Sequence, residues 1–370
     1  MIEYFFAGIV LIYSLGIIIM ILSYLRIDQI ECAGDLTDHK VSILVPVRNE
    51  QQTVFKTIES ILKNDISKIK YEIIVIDDHS TDKTLEGLYV EYEDFNQIRI
   101  IQLPPDQFGK KSAIKYGVSH AEGDLIITTD ADCVVPATWI RSYLSAYTKD
   151  ESIKMVFGPV SYPIRGTFGS LLNTELMGLV GLGAATLNIG KPTMCNGANM
   201  SYRKSVFEEL NGYEGNLHIP SGDDEFLLRK VFHKYPEGVK YIKSHVCLVG
   251  SNAPDSLREF YYQRVRWASK WKHHNDFTSK IAPLLVFLFN MVMILLFAKL
   301  INEVSILLII LILIKVLVDY LFIYVVTSSL RQKLNKIAFI LLQIIYPFYV
   351  VFFGIASNFG GYHWKGRTVR

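Results

Sequence analysis

Long apolar runs at both ends of the chain restrict its fold more than any other feature of the sequence. The run Tyr4–Leu25 holds 22 consecutive residues without a charge, which is enough for a helix to cross about 30 Å of hydrocarbon. It lacks the basic start and the small-residue cleavage site of a signal peptide. We therefore expect an uncleaved transmembrane anchor over residues 1–26.

Three further apolar candidates lie towards the other end, over 281–300, 304–326 and 337–357. The second contains Lys315 and Asp319, which share one helix face. Isolated charges in lipid cost several kcal/mol, so we expect these two side chains to pair or to face protein.

The stretch between the two ends, 38–280, has ordinary polarity and the length of one large domain. We expect it to be followed by transmembrane or re-entrant helices over 281–357 and by a basic tail over 358–370. Half of all residues are apolar, which excludes disorder. A net charge of +2 gives no case for a nucleic-acid partner. Four cysteines without metal-ligand spacing exclude a disulfide scaffold.

Basic residues predict the orientation in the membrane. Arg26 follows the first run, and Arg331 and Lys333 belong to a basic loop between the last two candidates. By the positive-inside rule both places are cytosolic, which puts the large domain in the cytosol. Three full crossings would then place the basic tail outside, against that rule. We therefore expect a re-entrant or interfacial segment, and Pro347 makes the last candidate a suitable one.

The large domain begins with alternating strand and helix patterns. Apolar, β-rich runs alternate with helical spacing over 53–63 and 84–93. The predicted strands are Val41–Val45, Tyr71–Ile76, Ile98–Ile101 and Asp124–Thr129. Such alternation predicts an α/β domain with a mostly parallel, Rossmann-like sheet. Ligands bind such sheets at the carboxyl ends of the strands.

Acidic residues follow two of these strands directly. Asp77 and Asp78 end the second, and Asp130 and Asp132 follow the fourth. Turn formation needs one such residue, and like charges two positions apart repel each other. A divalent cation between them removes the repulsion, and oxygen ligands suit Mg²⁺ or Mn²⁺. We therefore predict a metal site at Asp130 and Asp132.

Two further clusters carry possible chemistry. Asp223 and Asp224 lie at the start of a helical stretch. They could interact favourably with the helix dipole, or one of them could be a general base. Gln263, Arg266 and Trp267 could pack on a membrane surface, or could hold a diphosphate and a sugar.

The order of these motifs resembles that of membrane-bound family 2 glycosyltransferases with the GT-A fold. The motifs are Pro-x-Arg-Asn-Glu at 46–50, Asp-Asp-x-Ser-x-Asp at 77–82, Thr-Asp-Ala-Asp at 129–132, Gly-Asp-Asp-Glu at 222–225 and Gln-x-x-Arg-Trp at 263–267. The resemblance covers roughly 40–270. It implies a GT-A domain, a nucleotide-sugar donor, in the first place a UDP-sugar, and transfer with inversion.

The resemblance also implies a role for each motif. Asp224 would be the catalytic base, with Asp223 as the alternative, and Asp130 and Asp132 would hold the metal. The implied donor-binding residues are Pro46, Arg48, Asn49, Glu50, Asp77, Asp78, Lys110 and Asp130. The implied acceptor and diphosphate residues are Gln263, Arg266, Trp267, Asn196 and Gly197.

Some of these assignments have simpler alternatives. Lys110 and Lys111 could be a solvated lysine pair, and 196–199 could be a glycine turn. The glycine-rich apolar segment 169–189 could span the membrane, but we expect it to lie on the bilayer surface. We expect a second interfacial helix over 257–275.

The acceptor is predicted from the small number of spans. A polymer channel needs several spans around a pore, unless the chain forms a homo-oligomer. The tail around Trp364 resembles the endings of ceramide and carotenoid glycosyltransferases, so we expect transfer of one sugar to a membrane lipid. The alternatives are a processive polysaccharide synthase of the cellulose or hyaluronan type, and a non-catalytic transporter or scaffold that binds nucleotide-sugars. We expect an integral protein of a bacterial inner or plasma membrane.

Overall fold

The computed structural model describes residues 2–29, 39–64, 69–217, 219, 221–269, 277–359, 362–364 and 367–369. The helices are α1 (Ile2–Leu25), α2 (Val54–Leu62), α3 (Thr84–Tyr92), α4 (Lys110–His120), α5 (Trp139–Lys149), α6 (Gly166–Asn188), α7 (Lys204–Glu209), α8 (Asp223–Lys234), α9 (Leu257–Ser269), α10 (Phe277–Asn302), α11 (Ile306–Ser329) and α12 (Lys336–Ala356). The strands are β1 (Val41–Val47), β2 (Tyr71–Asp77), β3 (Ile98–Gln102), β4 (Leu125–Thr128), β5 (Met155–Phe157), β6 (Val160–Ser161), β7 (Met200–Arg203), β8 (Val239–Tyr241), β9 (Val249–Gly250), β10 (Tyr362–Trp364) and β11 (Arg367–Val369).

The chain divides into two compact units. One unit comprises 27–163 and 187–252, and the other comprises 1–26, 164–186 and 253–370. The basic residues Lys365 and Arg370 of the predicted tail lie outside the described residues, as does the end of the predicted helix 257–275, from residue 270 onwards.

The first unit is built on a seven-stranded sheet in the order β3-β2-β1-β4-β7-β5-β8. Strands β1 to β4 pair in parallel, and β1 and β2 are buried along almost their whole length. Burial on both faces explains why these strands are continuous apolar runs rather than alternating ones. The predicted α/β fold with a mostly parallel sheet is confirmed.

The sheet also holds a feature that the strand–helix alternation does not predict. Strand β7 lies between β4 and β5 and is antiparallel to both. It brings the segment that precedes it, 196–199, to the edge where β4 ends, because Thr128 at the end of β4 pairs with Met200 at the start of β7. The mixed part of the sheet thus adds a second loop to the edge where ligands are expected.

The second unit is helical. The structure describes five helices long and apolar enough to cross a membrane: α1, α6 and α10 to α12. Helix α6 belongs to this unit with the terminal helices, and 72% of its most apolar stretch is buried in the protein. The surface position expected for 169–189 stays a prediction. The other four helices expose many apolar side chains, as membrane helices do.

Polar side chains join α1, α11 and α12 inside this unit. The Lys315 ammonium lies 2.9 Å from an Asp319 carboxylate oxygen, and Lys315 also donates to the Gln343 side chain. The Tyr13 hydroxyl donates to the other Asp319 oxygen at 2.7 Å. Lys315 is only 4% exposed, so the expected pairing of these two charges is confirmed.

Lys315→Met should lower the melting temperature of the detergent-solubilised protein, because it leaves the Asp319 charge buried without its ammonium partner. Such a loss costs about 3–5 kcal/mol, whereas replacing both charges with apolar groups is often neutral. The double variant Lys315→Met/Asp319→Leu should therefore melt at a higher temperature than the single variant, although Tyr13 and Gln343 lose their hydrogen-bond partners. Lys299→Met is the control: its partner Glu303 is 67% exposed, and pairs that solvent reaches contribute about 0–1 kcal/mol. A double variant as unstable as the single one would contradict the expectation.

Candidate active site

The centre of the candidate site is the side chain of Lys110, at the first position of α4. Its ammonium lies 2.6 Å from Asp130 Oδ1 and 2.9 Å from Asp223 Oδ2. Burial alone lowers the pKa of Lys110, but the two carboxylates and their hydrogen bonds outweigh that effect and raise it. The lysine therefore stays charged, and it joins the end of β4 to the start of α8.

The neighbouring lysine is not solvated either. Lys111 is 4% exposed, and its ammonium donates to the carbonyls of Asn216 and Ile219 at 2.9 and 3.0 Å. It also lies 4.6 Å from the centre of the Phe226 ring. The alternative of a solvated lysine pair is wrong: one lysine binds the acidic residues, and the other holds the loop that leads to them.

The two acidic residues at the start of α8 have different surroundings. Asp223 is buried and shares the Lys110 ammonium. Asp224 is half-buried, and one of its oxygens lies 3.4 Å from the backbone nitrogen of Gly197. Asp223 is thus paired with a cation of the protein, and the assignment of the catalytic base to Asp224 or Asp223 stays a prediction.

In the segment 196–199, the backbone at Gly197 lies close to the acidic residues, and the side chain of Asn199 anchors the segment in the protein. A methyl group built on Gly197 would lie 2.6 Å from Asp223 Oδ2 and 3.2 Å from Lys110 Nζ. Asn199 is fully buried; its side-chain oxygen accepts from Trp139 and Tyr143, both at 2.7 Å. The segment is therefore more than a glycine turn, because it packs against the acidic residues. The acceptor role of Asn196 and Gly197 stays a prediction.

The loops after β1 and β2 hold each other in place. Arg48 donates to the carbonyls of Asp78 and His79 at 2.5 and 2.7 Å. Asn49 donates its backbone N–H to the Ser80 hydroxyl and accepts from the backbone of Thr81. Pro46 pairs with Ile76 in the sheet, and the Glu50 carboxylate accepts from Thr53. These side chains shape the two loops.

The paired acidic residues after β2 are buried. Asp77 accepts hydrogen bonds from the backbone of Ser80, and Asp78 accepts one from Gly109 at 3.0 Å. Each aspartate is 3% exposed. Gly109, with a φ of +89°, directly precedes Lys110. Contacts of at most 3.0 Å thus connect Asp78, through Gly109 and Lys110 at the start of α4, with Asp130 and Asp223.

The predicted metal residues follow β4. Asp130 has about a third of its side chain exposed, and Asp132 accepts a hydrogen bond from the Cys133 thiol. Burial, together with the charges of Asp132 and Asp130, raises the pKa of that thiol well above its usual range. Among the described residues, no group of three or more His, Cys, Asp or Glu side chains could hold a metal. Two carboxylates fit Mg²⁺ or Mn²⁺ where a substrate phosphate supplies further oxygens.

The Gln-x-x-Arg-Trp motif lies in the other unit, on α9. Between its predicted functional residues Gln263 and Arg266 lies Arg264, which is 3% exposed and forms an ion pair with Glu175 at 2.7 Å. The Arg264 guanidinium also lies 4.3 Å from the ring centre of Trp267. The roles of Gln263, Arg266 and Trp267 at the diphosphate or the acceptor stay predictions.

Comparison with solved structures identifies the class of fold. The chain superposes on a mannosyltransferase from Pyrobaculum calidifontis, solved in complex with GDP-Man and Mn²⁺, with a TM-score of 0.58. The superposition covers 95% of this chain and 94% of that one at 16% identity, so it shows the fold alone. The fold is that of the GT-A glycosyltransferases.

Comparison of sequences then gives the family that part of the chain matches. Residues 42–211 match the model of glycosyl transferase family 2, so the chain carries a family 2 glycosyltransferase domain. It is 23% identical to a poly-β-1,6-N-acetyl-D-glucosamine synthase of Staphylococcus epidermidis over 230 residues. The matched residues make up 62% of this chain and 53% of that protein. It is also 35% identical to an undecaprenyl-phosphate 4-deoxy-4-formamido-L-arabinose transferase of Enterobacter sp. strain 638 over 99 residues. Those residues make up 26% of this chain and 30% of that protein. The chain spans about half the length of the curated relatives it matches.

Gly197→Ala should reduce glycosyl transfer strongly, because the added methyl group displaces Asp223, Lys110 or both. Displacements of about 1 Å at an active site can cost about 10²-fold in rate. Gly250→Ala is the matched control in the same unit, since its methyl group would meet nothing closer than 3.8 Å. Rates are measured on membranes with equal amounts of each variant. Equal rates for the two variants would contradict the tight packing at Gly197.

Proposed function

We propose that the protein is an inverting glycosyltransferase that moves a sugar from a nucleotide-sugar, a UDP-sugar in the first instance, to a membrane lipid at the cytosolic face. The observation that carries the proposal is the convergence of Asp130, Asp223 and Asp224 on Lys110 and Gly197 at the carboxyl edge of the sheet. This is the edge where a Rossmann-like sheet binds its ligand.

In this proposal each residue of the edge has a separate task. The oxygen of the acceptor hydroxyl attacks the anomeric carbon, and the bond from that carbon to the leaving diphosphate breaks. Asp224 takes the proton of the hydroxyl as it attacks. Lys110 places a fixed positive charge beside the diphosphate. Asp130 and Asp132 would hold Mg²⁺ or Mn²⁺, which when bound neutralises charge on that diphosphate.

The lipid acceptor is supported by two observations. The structure describes five helices able to span a membrane, which would keep the domain at a bilayer surface. The Enterobacter relative is named for a transfer to undecaprenyl phosphate, which is a lipid. A processive polysaccharide synthase is the second candidate, because the Staphylococcus epidermidis relative is named as a polymer synthase.

The product is identified by incubating membranes that contain the protein with radiolabelled nucleotide-sugars and Mn²⁺. We expect label in an extractable lipid that carries one sugar. Label in insoluble polymer would replace this proposal with the processive one. Transfer that proceeds unchanged after removal of divalent cations with a chelator would refute the proposed metal dependence.

Asp224→Asn should reduce transfer by about 10²–10⁴-fold, because the amide cannot accept the proton of the acceptor hydroxyl. Donor binding, measured by calorimetry, should change little. Asp94→Asn is the control, since Asp94 is an exposed aspartate of the same unit. Full activity of Asp224→Asn together with a loss of activity in Asp223→Asn would move the base to Asp223. Full transfer activity in both variants would exclude either residue as the base, whereas donor binding without transfer in the wild type would favour a domain that only binds nucleotide-sugars.

A further inference from the structure

A buried carboxylate joins three helices of the helical unit. One oxygen of Glu175, on α6, accepts a hydrogen bond from the Arg264 guanidinium of α9 at 2.7 Å. The other oxygen accepts from the Tyr349 hydroxyl of α12 at 2.8 Å. Arg264 is 3% exposed and Glu175 is 8% exposed. None of these three residues has a role in the site that the sequence motifs predict.

The same guanidinium lies against two aromatic rings of α9. It is 4.3 Å from the ring centre of Trp267 and 5.0 Å from that of Phe260. Residues three or four positions apart share one face of a helix, so Phe260, Arg264 and Trp267 form a continuous stripe. A planar guanidinium that stacks on an aromatic ring is attracted to it. The position of the half-buried Trp267 ring therefore depends on where Glu175 holds Arg264.

Packing of these helices does not by itself need a charge. The Phe260 ring lies 5.7–5.8 Å, between centres, from the rings of Phe168, Tyr349 and Phe353, so an apolar contact between α6, α9 and α12 is already present. Burying an ion pair is costly, and apolar side chains often stabilise such a contact as well. A charged hydrogen bond is directional, however, so it fixes the orientation of Arg264 as an apolar contact would not.

We propose that Glu175 is a positioning residue for the acceptor: through Arg264 it holds the Trp267 ring in the orientation in which the acceptor binds, and Tyr349 holds Glu175 in turn. The inference rests on the proposed function and on the acceptor role predicted for Trp267. It adds one residue of α6 and one of α12 to a role that the sequence motif gives to α9 alone.

The test is a set of transfer assays with the detergent-solubilised full chain. The donors are the radiolabelled nucleotide-sugars of the product assay, with Mn²⁺ present. The acceptor is the total lipid extract of the cells that express the protein, added in increasing amounts. Each variant gives an apparent KM for the lipid extract, a KM for the donor and a melting temperature.

The variants separate the orientation of Arg264 from the stability of the fold. Glu175→Gln removes the charge that orients Arg264, and Tyr349→Phe removes one hydrogen bond to that charge. The double variant Glu175→Gln/Arg264→Gln removes the guanidinium as well, so no buried charge is left unpaired there. Lys315→Met is the matched control, because it breaks another buried ion pair of the same unit.

We expect Glu175→Gln to raise the KM for the lipid extract roughly tenfold, the weight of one lost cation–π contact, and to leave the KM for the donor unchanged. Tyr349→Phe should raise it by a smaller factor. The double variant should recover the melting temperature but not the lipid KM, because Trp267 still lacks the guanidinium. Lys315→Met should lower the melting temperature and leave the lipid KM unchanged.

Two results would overturn the inference and leave the proposed function standing. The lipid KM could recover together with the melting temperature in the double variant, or it could rise equally in Lys315→Met. Either result would make the Glu175–Arg264 pair a purely structural one. If Glu175→Gln does not fold, the double variant and Tyr349→Phe decide. If the wild type transfers no label to the lipid extract, the proposed function itself fails and the inference with it.

Discussion

The ion pairs of Lys110 are the interaction on which the arrangement of the site depends. Three carboxylates, Asp130, Asp223 and Asp224, come together from β4 and from α8, and their mutual repulsion would separate them without a compensating charge. The Lys110 ammonium contacts two of them within 3 Å. Gly197 then lets the backbone approach because it has no side chain to displace the pair.

The parallel half of the fold could be predicted from the sequence because its signals are local. Strands buried on both faces are continuous apolar runs, and β1 to β3 begin at the residues that those runs predict. Strand β7 has no such signal, since it is a four-residue strand that owes its place to its neighbours. Two of its four residues, Ser201 and Arg203, are polar, so the antiparallel insertion was not predicted.

The candidate site, like the fold, could be predicted from the sequence only in part. The acidic residues could be predicted from their positions at strand ends, because the carboxyl ends of parallel strands share one edge of a sheet. The partners of the two adjacent lysines could not. Lys111 binds carbonyls more than 100 positions away, and those are contacts of the folded chain that no spacing in the sequence encodes. The same holds for Asn199, whose side chain joins α5 to β7.

Charge balance bears on whether so acidic an edge can bind the proposed anionic donor. One lysine cannot neutralise Asp130, Asp223 and Asp224, and Asp132 adds a fourth carboxylate nearby. A nucleoside diphosphate brings further negative charge, so Lys110 alone leaves the complex strongly negative. A divalent cation that arrives with the diphosphate corrects that balance, and two protein carboxylates leave its remaining positions to phosphate oxygens and water. The charges that the fold brings together therefore support the proposed metal requirement.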